Sequence, residues 1–146
     1  MYLLKSNAIN LAPFWTVLTG VIVFVLSQLF IEFILRPIQE YKKLKSDVSW
    51  ALTYYANIYS NPTGVKQELY DEASKELRKL AAELRAFNIR KPKLLYKKDK
   101  IDIAASDLIG LANCVGSKFH KVIVDNYVKG IKKSLGFADE KEPVKK

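Results

Sequence analysis

Residues 11 to 31, LAPFWTVLTGVIVFVLSQLFI, are 21 consecutive uncharged and mostly apolar positions. A bilayer core takes roughly 20 helical residues to cross, so this run is long enough to span one. A secretory signal has an apolar region of only about 7–15 residues followed by a small-residue cleavage site. Here the run is longer and leads into EFILRPIQEY with no A-x-A pattern, which predicts a retained anchor over residues 11–36.

The flanks give an orientation. Lys5 stands alone before the run, whereas Arg36, Lys42, Lys43 and Lys45 follow it. Basic residues favour the cytoplasmic side, so residues 1–10 are expected outside and the rest inside a bacterial inner membrane. Phe14 and Trp15 suit an aromatic belt at the outer face, and Pro13 suits a first helical turn.

Charge is divided in the same way. Residues 6–31 carry none; setting aside Lys5, Glu32 and Arg36 leaves 22 basic and 14 acidic residues in 37–146, a net charge of +8. Anionic neighbours, either lipid headgroups or nucleic acid, are the partners such a balance implies. The single cysteine, Cys114, forms no internal disulfide and says nothing of an oxidising compartment.

At the inner end of the run Glu32 and Arg36 are four apart with the acid first, the favourable order for a helical ion pair. One reading has both snorkel at headgroup level. The other notes that Thr16, Gly20, Phe24, Gln28, Glu32, Arg36 and Glu40 recur every four residues. Polar and small residues in a span usually face protein or water, so Gly20, Gln28, Glu32 and Arg36 are the candidate oligomer interface.

Beyond Pro37 the apolar pattern becomes one-sided. Ile38, Tyr41, Leu44, Val48, Leu52, Tyr55 and Tyr59 mark one amphipathic helix, ended by SNPTG at residues 60–64. Val65, Leu69, Ala73, Leu77, Leu80, Leu84 and Phe87 mark a second. A third is expected over Ile101–Val115 and a fourth from Phe119 to Leu135, stopped by Gly136. The fold class is therefore all-α: one transmembrane helix feeding an antiparallel bundle of three to four helices over residues 37–137. Residues 138–146, ADEKEPVKK, are too charged to pack and are expected to be disordered.

Between the second and third helices lies NIRKPKLLYKK. Residues 85–100 hold seven basic side chains against Asp99 alone. A helix of 23 residues (38–60) rises about 34 Å and one of 25 residues (63–87) returns about 37 Å, so the basic loop lands near the inner leaflet. Arg90, Lys91, Lys93, Lys97 and Lys98 are candidate contacts for anionic lipid or phosphate, with Leu95 and Tyr96 dipping into the interface. A solvated loop and a phosphate-bearing partner are the competing readings.

The inventory for catalysis is thin. His120 is the only histidine and has no partner at metal-ligand spacing, Cys114 reads as core, and no phosphate-cradling glycine loop is present. No catalytic residue, metal or cofactor is expected. Asn113 and His120, separated by six residues, resemble a degenerate form of the motif of the helical HEPN ribonucleases; the arginine of that motif is missing.

Three segments, FILRPIQEYKKLKSDVSWALTYYANIYSNP (33–62), ELRKLAAELRA (76–86) and DLIGLANCV (107–115), together resemble a group of short bacterial membrane proteins with one N-terminal span and a helical cytoplasmic part. The resemblance implies that topology and no activity. Three function classes stay open: a non-enzymatic, self-associating scaffold that docks a cytoplasmic protein partner; an oligomeric pore or membrane-disrupting effector, as in bacterial defence; and a membrane-tethered nuclease.

Overall fold

In the computed structural model, residues 12–60, 66–90, 97–116 and 121–137 are described. The chain divides into two compact units, Met1–Gln39 and Glu40–Lys146. The described residues contain helices and no strand.

The first unit is built on α1 (Ala12–Phe30). It is exposed along its whole length, with only Leu18 partly covered. The helix forms although seven of its 19 residues are β-branched, and the hydroxyls of Thr19 and Ser27 donate to carbonyls four residues back (2.6 and 2.8 Å). A π-helical turn follows over Ile31–Leu35, closed by the Arg36 N–H bonding to the Ile31 carbonyl. Its physical cause is Pro37, which has no N–H for the Phe33 carbonyl and whose ring crowds it; widening the preceding turn relieves both. Helix α2 (Arg36–Tyr54) then carries the chain across the boundary between the units.

The second unit is a four-helix bundle: the α2 residues from Glu40 onward with the short α3 (Ala56–Ser60), then α4 (Gln67–Arg90), α5 (Lys98–Cys114) and α6 (Lys121–Leu135). Cross-helix contacts fix the directions. Glu40 bonds Arg90, Tyr41 stacks on Phe87 and Tyr55 meets Glu72, so α2 and α4 are antiparallel. Ser74–Ala112, Arg78–Asn113, Arg85–Ser106 and Asn88–Lys98 show the same for α4 and α5. Tyr127 lies on Gly110 and Asp107 on Gly130, which sets α6 antiparallel to α5. The expected antiparallel bundle is therefore present, with all four helices closing round one core.

That core is made largely by the stripes read from the sequence, except that Leu69 is 41% exposed and Tyr70 is buried in its stead. Val48, Ala73, Leu77, Leu84, Phe87, Ala104, Leu108, Leu111 and Ile131 are all fully buried. Helix α5 approaches both neighbours most closely because its buried face is rich in alanine. Gly110 lets the Tyr127 ring sit so close that a Cβ there would be 2.5 Å from it.

Several boundaries differ from expectation. The helix expected over 38–60 breaks at Tyr55, where the Tyr59 hydroxyl donates to the Leu52 carbonyl at 2.5 Å. The second helix runs on to Arg90 and the third begins at Lys98 rather than Ile101, so Arg90 and Lys98 are helical and not loop. Gly136 takes φ +66° and ends α6 in a paired cap, Phe137 N–H to Lys132 and Gly136 N–H to Lys133. The SNPTG turn, residues 1–10 and the tail 138–146 lie outside the described residues, apart from Ser60.

Candidate functional site

The charged pair at the C-terminal end of the apolar run forms as its spacing predicts. Arg36 and Glu32 meet at 2.5 Å, with side chains 66% and 53% exposed. Gly20 and Gln28 are exposed as well, and a Cβ added at Gly20 meets nothing within 4 Å. The four-residue row is not one straight face. In an α-helix each such step drifts about 40°, so Thr16 and Gln28 stand about 120° apart. The wider π turn takes that drift back, which keeps Gln28, Glu32 and Arg36 on one flank. The sequence spacing did not distinguish these two halves of the row.

The basic loop resolves into anchored and unanchored members. Arg90 ends α4, its guanidinium bonded to the Glu40 carboxylate (2.6 Å) and the Ala86 carbonyl (3.3 Å). Lys97 is exposed, and the Lys98 carbonyl accepts from the buried Asn88 amide at 3.2 Å. Lys91, Lys93, Leu95 and Tyr96 lie outside the described residues. Arg85, counted with the cluster from sequence, belongs elsewhere: it lies on the α4 surface, donating to the Ser106 hydroxyl.

The fold adds charges that the loop alone did not reveal. The Lys45 ammonium lies 5.3 Å from the centre of the Phe137 ring, so the end of α6 shares the end of the bundle that holds Glu40, Arg90 and Lys98. Lys132 and Lys133, in the last turn of α6, join Lys42, Lys43, Lys45, Lys97 and Lys98 there. The opposite end mixes Glu68, Asp71, Glu72 and Asp125 with Lys66, Lys75 and Lys121. The bundle is thus polarised, basic where the chain enters it. Helix lengths and alternating direction were the only sequence signal for this gathering.

Of the residues weighed for chemistry, Cys114 and Asn113 fall among the described ones. Cys114 is buried, and burial pushes its thiol above the ordinary range, away from the reactive thiolate. Asn113 accepts a hydrogen bond from Arg78 at 2.9 Å; His120 lies outside the described residues. Among the described residues no group of three His, Cys, Asp or Glu side chains is placed to hold a metal ion.

Comparison with family models, with curated proteins and with solved structures finds no match to this chain.

Proposed function

We propose that this chain is a non-enzymatic, self-associating membrane module: α1 crosses the bacterial inner membrane as a retained anchor, and the bundle works at the inner leaflet as a docking scaffold. One observation carries the reading. The apolar helix is 19 residues long and none of its described side chains is buried, so the described residues supply no cover for it. A core helix of a soluble protein would be largely buried; an uncovered one gains roughly 25 cal/mol per Å² only if lipid or another chain takes that surface from water.

The polarised bundle supports the second half. Lysines gathered where the chain enters from the anchor suit an anionic headgroup layer, each contributing about 1 kcal/mol within reach of it. Self-association is supported by Gln28, Glu32 and Arg36 sharing a flank in a segment that must satisfy its polar groups internally.

The test uses the full chain in nanodiscs. Lysine acylation is expected to spare Lys97, Lys98, Lys132 and Lys133 in anionic discs and to modify them in zwitterionic ones. Equal labelling in both would remove the headgroup role.

A second reading, an oligomeric pore lined by Gln28, Glu32 and Arg36, draws on the same flank, because the π turn aligns three polar side chains that a regular helix would spread. Dye release from liposomes that rises with protein density is its expected signature, and retention of dye at every density excludes it.

A further inference from the structure

The α4/α5 side of the bundle holds a surface that neither the core nor the basic end uses. Arg78 and Arg85 stand two turns apart on α4, and with Ala82, Ile89 and Ile109 they bound a trench of about 650 Å³. Ala82 and Ala86 line its open floor, and Ile89 is left 81% exposed at its end. Among the described residues both guanidiniums bond neutral oxygens alone, Arg78 the Asn113 amide at 2.9 Å and Arg85 the Ser106 hydroxyl at 3.3 Å. Neither has a carboxylate within ion-pair distance among the described residues. Such a pair of cations over an apolar floor calls for carboxylates at the same pitch beside an apolar group.

The other flank of α4 offers that pattern. Glu76 and Glu83 are also seven residues apart, and Asp47 lies close enough for Lys79 to feel all three charges. Glu76 is held only by Lys79 at the surface, and Glu83 makes no ion pair among the described residues. Beside them Trp50 stacks on Tyr54 at 4.7 Å, with both rings more than half exposed. The register set by Tyr41–Phe87 and Tyr55–Glu72 puts Trp50 level with the turn holding Glu76 and Arg78.

We propose that the α4/α5 trench receives the acidic α2/α4 edge of a second copy of this chain, side by side and pointing the same way. In that arrangement Arg78 and Arg85 of one copy come level with Glu76 and Glu83 of the next, offset by two residues or about 3 Å of helical rise. Trp50 of the neighbour enters beside Ile109. Parallel alignment is also the direction shared by chains anchored in one bilayer. The contact joins two different surfaces, so it propagates beyond a dimer until it closes on itself. This inference rests on the self-association reading and names a surface for it outside the span.

The experiment is the assembly mass of the full chain in detergent and in nanodiscs. Arg78→Glu with Arg85→Glu, and separately Glu76→Arg with Glu83→Arg, are each expected to weaken assembly by at least about tenfold. The chain carrying all four reversals is expected to recover it. Arg78→Gln with Arg85→Gln keeps the helix surface polar and is expected to give an intermediate loss. In the unmodified protein, raising salt from about 0.05 to about 0.5 M is expected to lower the mass, since these pairs lie at the surface. In a Trp15→Phe background, Trp50 emission is expected to move to the red as the assembly dissociates.

Unchanged mass in both double reversals overturns the proposal, as does failure of the fourfold variant to recover. If both reversals are silent while Gly20→Leu with Gln28→Leu disperses the protein, this contact is wrong and association through the span stands. A monomer at every concentration of the unmodified chain overturns both.

Discussion

At the scale of single residues, most polar contacts of the bundle are small contributors, and their value lies in position. The Arg90–Glu40 pair is partly exposed (61% and 32%), so Glu40→Gln is expected to cost under about 1 kcal/mol in a urea melt. Asp107 has the opposite character. Burial against α6 raises its carboxyl above the ordinary range, which means the folded state binds a proton more readily than the unfolded one. Stability from this group is therefore complete below its unfolded pKa and is lost as pH rises through its folded pKa. Asp107→Asn is expected to flatten that slope in the acid range and to leave neutral-pH stability no lower; a slope unchanged in a pH series of melts would contradict this. Cys114 is expected to resist alkylation at neutral pH until the bundle unfolds, because it is buried and its thiol is held protonated. Rapid labelling of the folded chain would show that this helix end opens.

At the scale of elements, periodicity carried the argument. The stripe from Leu77 through Leu84 to Phe87 is the core stripe, and Leu84→Ala is expected to cost about 2–5 kcal/mol by leaving a cavity in a packed interior. A loss below 1 kcal/mol would mean the bundle collapses into the space. Helix ends were legible where chemistry forces them, as at Gly136, whose positive φ only glycine accepts cheaply. They were not legible where a tertiary bond decides. The break at Tyr55 goes with the Tyr59 hydroxyl reaching a carbonyl seven residues away. The π turn was not legible: Pro37 removes one helical hydrogen bond, and only the structure showed that loss absorbed in one widened turn. The span's polar row and the basic loop were both legible as compositions. Their division was not, because drift around a helix and the side on which Arg85 falls are properties of three dimensions.

At the scale of the whole molecule, an apolar helix that no described residue buries leads into a bundle whose basic residues gather where the chain enters it. The bundle needs no partner to close its core, since all four helices contribute buried side chains to it. The 19-residue apolar helix is long and apolar enough to cross a membrane, and in the proposed reading lipid is the partner that covers it. Self-association, headgroup contact and the lateral contact between copies all depend on that step. The most direct measurement is alkaline extraction of membranes from cells expressing the full chain, followed by peptide mapping of residues 11–36. The account predicts that the protein stays with the membranes and still carries that segment. Recovery in the aqueous fraction, or a membrane-free form from which those residues have been removed, would contradict it.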